Sequence, residues 1–253
     1  MLKLSTASLV VLSEQTIRVV PGVFLALAAG AVAARADTPP LRHLVYSFTY
    51  ESSQHGAVPN EPGSTGNQTY NGKLDDQGTM TVDVLREAQD RGLVVVVAEQ
   101  GQNTRRSAPA TCAVYGNTTV VCDPSKPVNA EEFTLLRFLG ANFFDPAQLD
   151  AKQHWSVSEH KGKTNMTADY TVTSNDNGVI KVDEKRHVED TSVGSVTIDA
   201  QTKLDYNSNR LLPTTIDEYE TEDQHSGVVG VTTTTFQTTF SLVSDSMAKQ
   251  TGP

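Results

Sequence analysis

Three features of this sequence predict a mainly β protein built on antiparallel strands with one helix. The first is composition: the 253 residues include 30 Thr and 29 Val. Both types are β-branched and stiff at χ1, which favours the pleated strand over the helix. The second is alternation of apolar and polar residues with a period of two, the mark of a half-buried strand. It recurs at Leu44, Tyr46, Phe48 and Tyr50, at Met80, Val82 and Val84, and at Met166, Ala168, Tyr170 and Val172. The third is that only one segment after residue 40 carries both helix-start and helix-stop signals. About ten to twelve strands and one buried helix, residues 129–140, follow from this pattern. No repeat of fixed period is present.

Taken in order, the chain opens with an uncharged Ala/Val/Leu-rich run from Val19 to Ala34, preceded by Arg18. Ala34-Arg35-Ala36 has the small-x-small form that signal peptidases accept. A membrane span needs about 20 apolar residues, and this run is shorter and holds Pro21. Residues 1–36 are therefore expected to be a cleaved signal peptide, leaving no stable membrane span. Residues 37–253 are expected to form a single β-rich domain, exported to a periplasm or secreted.

The strand from Leu44 to Tyr50 is followed by a polar Gly/Pro/Ser stretch at 51–66, expected as a mobile loop. A strand around 67–74, broken at Asn71-Gly72, comes next. Residues 79–99 read as a hairpin turning at Asp90-Arg91-Gly92. Cys112 and Cys122 flank a second hairpin that turns at Gly116-Asn117. A three-residue loop there sets Val114 opposite Val120 and Cys112 opposite Cys122, within reach of a disulfide. Such a bond belongs to an oxidising compartment and agrees with export.

Asn129 reads as a helix N-cap, with Glu132 three residues on as its capping-box partner. Phe133 to Leu139 continues the helix, and Gly140 is the expected stop. Its residues are apolar on most sides, so burial is expected. Beyond it, Asn177-Gly178 is a two-residue hairpin turn signal. Val179–Val182, Gly194–Ile198, Pro213–Tyr219 and Val228–Val243 read as further strands.

Charge narrows the function. There are 20 Lys and Arg against 30 Asp and Glu, a net charge of −10. That excludes a basic phosphate-binding face, and with it a nucleic-acid partner or docking on anionic lipid head groups. No Gly-x-Ser-x-Gly elbow is present. Gly162-Lys163-Thr164 ends like a phosphate loop, but Val157 stands where that loop needs its first Gly. His154 and His160 share a strand face without metal-ligand spacing. His187 lies in a mixed-charge strand. The acidic run Asp217–Asp223 lacks the calcium-loop pattern and is expected as a solvated edge strand. No catalytic residue, cofactor or metal is expected, and the reading leans away from an enzyme.

The order of elements is strand hairpins, one apolar helix at 129–140, a Trp-bearing strand His154-Trp155-Ser156-Val157, then a long meander. That order resembles secreted bacterial β-proteins and the lipoprotein-carrier type, in which a strongly curved antiparallel sheet wraps a helix. The resemblance implies an open half-barrel whose concave face holds a lipid or other apolar small molecule. On that reading Tyr46, Phe48, Phe133, Leu136, Phe138, Phe143 and Trp155 line the pocket, and the 51–66 loop covers it. The competing expectation is a cell-envelope structural or interaction protein in which the same side chains simply fill the core.

Overall fold

A computed structural model describes residues 40–59, 67–88, 92–103, 108–115, 119–139, 153–192, 194–226 and 230–247. The expected signal peptide, residues 1–36, lies outside the described residues, as does Phe143.

The strands are β1 (Arg42–Pro59), β2 (Asn67–Glu87), β3 (Leu93–Gly101), β4 (Ala110–Val114) and β5 (Val120–Cys122). The helix α1 (Ala130–Arg137) follows. Then come β6 (His154–Lys161), β7 (Thr164–Asp176), β8 (Val179–Asp190), β9 (Ser195–Asn207), β10 (Leu212–Ser226) and β11 (Gly230–Asp245). All eleven strands join one sheet in the order β5-β4-β3-β2-β1-β11-β10-β9-β8-β7-β6. Every pairing is antiparallel. The sheet is curved and does not close, and β5 and β6 are its edges. The order is two runs of consecutive hairpins. They are joined where the first described strand, β1, pairs with the last, β11.

The pairing of β1 with β11 is pinned by charge. Arg42 at the start of β1 donates to Asp245 at the end of β11 through Nε (3.0 Å) and Nη2 (2.7 Å). Two parallel bonds of this kind fix orientation as well as distance. The hydrogen bonds from Arg42, ahead of a smaller burial effect, hold the Asp245 carboxyl below its usual range.

Period two decides the faces. Tyr46, Phe48 and Tyr50 point to the side that carries α1, the inner face, and all are buried. Met80, Val82, Val95, Val97, Ile180, Val182, Leu204, Tyr206, Ile216 and Phe240 join them in one core. Residues of the opposite parity, such as Ser47, Thr49, Lys181, Asp183 and Lys185, form a polar outer face. Tyr46 shows why buried aromatics with a hydroxyl need a partner. Its hydroxyl donates to the Pro213 carbonyl at 2.9 Å, and burial pushes its pKa upward.

Turn chemistry behaves as the sequence predicts in two places. Asn177 and Gly178 both have positive φ, 53° and 78°, as a two-residue hairpin of this type requires. Gly162, with φ 62°, turns the β6–β7 hairpin, so the phosphate-loop-like triplet is a turn. One glycine is needed for close approach. A Cβ on Gly78 would stand 2.1 Å from the Gln100 carbonyl oxygen of the adjacent strand.

The Cys112–Cys122 disulfide is present, with the two residues directly opposed in β4 and β5 and Val114 facing Val120. The helix is capped as expected. The Asn129 side chain accepts from the Glu132 amide at 2.8 Å, and Glu132 Oε2 accepts from the Asn129 amide at 3.1 Å. It is shorter than expected: regular structure ends at Arg137, and the Phe138 and Leu139 amides close it by donating to the Leu135 and Leu136 carbonyls.

Three expectations are corrected. Residues 51–59 are not loop but the second half of β1, paired with β2 throughout and with β11 as far as Gly56. Two long neighbours supply the ladder, and that outweighs the low strand propensity of Ser, Gln and Gly. Residues 60–66 lie outside the described residues. The strand at 67–74 is not broken at Asn71-Gly72. It runs on through Glu87, with Gly72 paired to Gln54. The acidic run 217–223 is not an edge strand, since β10 lies between β9 and β11.

Candidate functional site

The helix meets the sheet through charge as well as apolar packing. Leu135, Leu136 and Phe138 are buried against the inner face. Beside them Arg137 reaches two strands at once. It donates from Nη1 to Glu218 of β10 at 2.9 Å and from Nη2 to Glu184 of β8 at 2.5 Å. All three side chains are 4% exposed or less. Further donors meet both carboxylates. Thr134 donates to Glu218 (2.8 Å), Tyr170 to Glu184 (2.9 Å), and the Thr202 hydroxyl is shared between both carboxylates (2.7 and 3.0 Å). Burial opposes the charge on Arg137, yet the flanking Glu184 and Glu218 carboxylates keep its pKa above the usual value. Burial also opposes ionisation of Glu218, but Arg137 first and Arg186 second outweigh it and hold the carboxyl below its usual range.

The register shows how these residues come to share one layer. Glu218 stands opposite Thr202, Thr202 opposite Glu184, and Glu184 opposite Tyr170. Trp155 extends the row, opposite Tyr170, with the rings stacked at 5.0 Å between centroids. This polar row divides the inner face. On one side lie Phe48, Phe240, Ile216, Leu204, Val182 and Val172, all buried. On the other side burial is uneven: Ala200 and Ala168, next to Arg186 in the adjoining row, are buried. Phe236, Ile198, Val188, Met166 and Val157 are only half-buried there.

That second side also carries Glu220 and Glu222. Arg186 holds Glu220 at 2.6 Å and reaches towards Glu218 at 4.0 Å. Its Nε is buried without a hydrogen-bond partner among the described residues. Glu222 has no ion-pair partner among the described residues. Burial, followed by repulsion from Glu220, raises its pKa. Burial likewise raises that of Glu220, against the lowering effect of Arg186. Glu131, in the first turn of α1, is 7% exposed. Burial, with Glu99, Glu132 and Asp76 adding repulsion, pushes its pKa up to about 7. Burial lifts the Tyr50 hydroxyl to about 12 against a hydrogen bond with Ser52, with smaller additions from Glu131, Glu220 and Glu222.

Six of the seven side chains expected to line a pocket fall within the described residues. Tyr46, Phe48, Leu136 and Phe138 are at most 2% exposed and belong to the packed core. Phe133 and Trp155 are partly buried against it. Two open hollows of about 340 and 220 Å³ lie over β1 and its neighbours. The larger is lined mainly by polar residues, Glu51, Lys73, Tyr219 and Gln237 among them. No group of three or more metal-ligating side chains is found among the described residues. His154, His160 and His187 are on the outer face, where His160 meets Asn165 and His187 meets Asp199.

Sequence reasoning missed Arg137, Glu184, Glu218, Glu220 and Glu222. A signal was available. Ile216, Glu218, Glu220 and Glu222 share one parity, as do Val182, Glu184, Arg186 and Val188. The buried apolar residue at the start of each series marks the inward side.

No protein-family model and no curated protein matches the chain. Among solved structures, one of lipovitellin, described as concerning lipid–protein interactions, is similar with a TM-score of 0.43 and 10% identity. The match covers 82% of this chain and 25% of that one, so this chain spans about a quarter of the length of the protein it matches.

Proposed function

We propose that this is an exported, non-enzymatic binding protein that holds an apolar or amphiphilic small molecule against the inner face of its open sheet. The observation that carries the reading is the uneven cover of that face. Helix α1 and the core residues fill one side of the polar row, while Phe236, Ile198, Val188, Met166 and Val157 on the other side stay half-buried. Ile198, Val188 and Met166 are direct neighbours across β9, β8 and β7, and apolar surface rimmed by polar groups is the usual setting of a ligand. Of the residues expected from sequence, Phe133 and Trp155 retain enough exposure to touch such a ligand. Tyr46, Phe48, Leu136 and Phe138 serve as the packed wall behind it. The Cys112–Cys122 disulfide supports an oxidising compartment.

Native mass spectrometry on chain purified without detergent tests the reading, followed by solvent extraction and titration with the fluorescent lipid cis-parinaric acid. A mass excess that the solvent removes, or saturable micromolar binding of the probe after extraction, is the expected result. A bare chain mass together with no probe binding would overturn it.

The burial of Tyr46, Phe48, Leu136 and Phe138 favours a second reading, a cell-envelope structural or interaction protein with a filled core. That reading gains if the same titration stays flat.

A further inference from the structure

The outer face of the sheet carries a separate row of side chains, remote from the inner-face ligand proposed above. Four interior strands, β10, β11, β1 and β2, set Tyr219 opposite Gln237, Gln237 opposite Glu51 and Glu51 opposite Asp75. All four residues have the parity that faces away from α1, and all four are exposed. Adjacent strands lie about 4.8 Å apart, so the row crosses the sheet as one continuous line. It runs along the two hollows of about 340 and 220 Å³, which share Glu51. Tyr219 lines the larger hollow and, at 51% exposed, is the one exposed aromatic side chain among the described residues. Around it the polar groups are held in place. The Ser53 and Thr235 hydroxyls lie 2.6 Å apart, and Lys73 stands 3.6 Å from Glu51. At the far end Gln77 donates to the Gln102 side chain at 3.0 Å. The buried Asp76 carboxylate accepts from the Gln102 and Asn103 amides at 2.8 and 2.9 Å, which fixes the wall of the smaller hollow. Among the described residues, no side-chain hydrogen bond engages Tyr219 or Gln237.

All four strands are paired on both sides, so their backbone groups are spent in the ladder. A ligand here meets side chains only, which excludes a peptide added as a further strand. Those side chains are one bare ring beside a planar amide, two carboxylates and an ammonium. The negative face of an aromatic ring attracts the positively polarised C–H groups on the flat side of a sugar. Amides and carboxylates present donors and acceptors in one plane, suited to bridging neighbouring hydroxyls. Glu51 and Asp75 stand against the single cation Lys73, which disfavours an acidic sugar. We infer that the outer face binds a neutral oligosaccharide, one sugar ring stacked on Tyr219, the next held by Gln237 and Glu51, and the chain continuing towards Asp75 and Gln77.

Saturation-transfer NMR on the full chain tests this with maltotetraose, cellotetraose and N-acetylchitotetraose, three neutral chains that differ in linkage and substituent. At least one should bind saturably with a Kd near or below about 1 mM. Its affinity should change little between about 0.05 and about 0.5 M salt, because the ligand carries no charge. Tyr219→Ser should weaken that binding about tenfold and Gln237→Ala about fivefold, while Tyr219→Phe, which keeps the ring, should stay within about twofold. These side chains are exposed, so the melting temperature should hold in all three variants. Binding of cis-parinaric acid, which reports on the inner face, should also be the same in each. Saturable binding of none of the three sugars, or binding equally strong in Tyr219→Ser and Gln237→Ala, would overturn the inference and leave the inner-face reading standing.

Discussion

Glu218 and Glu222 lie four residues apart on one strand and point to the same face, yet their environments have opposite consequences. On the helix side of the sheet, Glu218 is met by Arg137, Thr134 and Thr202, and its charged form is favoured. On the far side, Glu222 meets only partial burial and the repulsion of Glu220, and its charged form is disfavoured. Burial alone does not decide whether a carboxylate stabilises a fold. The decision lies with the donors that accompany it. The two halves therefore divide the labour. The helix half meets Glu184 and Glu218 with donors of its own, while the other half keeps Glu222 half-buried without a basic partner among the described residues.

Removing Arg137 should break this contrast most severely. Arg137→Ala strands Glu184 and Glu218 in the core, and loss of one partner of a buried ion pair costs about 3–5 kcal/mol. Urea unfolding followed by Trp155 fluorescence measures it. An unchanged midpoint would mean that the triad is not desolvated as described. The disulfide lies at the opposite end of the sheet from the second half. Replacing both Cys112 and Cys122 by Ala should cost about 2–3 kcal/mol by the loop-entropy argument, and the binding of cis-parinaric acid should be unchanged. A change in that binding would tie the β4–β5 edge to the ligand surface.

A smaller effect is expected at the cap. Asn129→Ala removes the acceptor for the Glu132 amide and should cost about 1 kcal/mol, measured as a shift in urea midpoint. Thr at this position should recover part of it.

The pH dependence sharpens the contrast directly. Glu218 has a lowered folded pKa, so its contribution is present above the unfolded carboxylate range and is lost as pH falls through the folded value. Glu222 and Glu131 have raised folded values. Their contribution is present in acid and is lost as pH rises through them, for Glu131 between about 4.5 and about 7. Glu131→Gln and Glu222→Gln should therefore raise the melting temperature near pH 8 and leave it little changed near pH 4, while Glu218→Gln should lower it near pH 8. If all three variants respond alike to pH, the two halves of the inner face are electrostatically equivalent and the contrast fails.

Much of the scaffold was legible along the chain because its signals are local. The Asn129–Glu132 capping box, the Asn177-Gly178 turn and the opposition of Cys112 to Cys122 each need a handful of neighbouring residues. The errors came where a local rule met a long-range ladder. Residues 51–59 look like loop until β2 and β11 are set on either side. The run 217–223 looks like a solvated edge until β10 is placed between two strands.

What the sequence determined by itself was the strand content, the hairpins, the single capped helix and which residues share a face. Only the tertiary structure decided which faces are covered and by what. Arg137 is 47 residues from Glu184 and 81 from Glu218. Parity placed those two carboxylates on the inward side of their strands, but the cation that keeps them charged there arrives only when the helix docks.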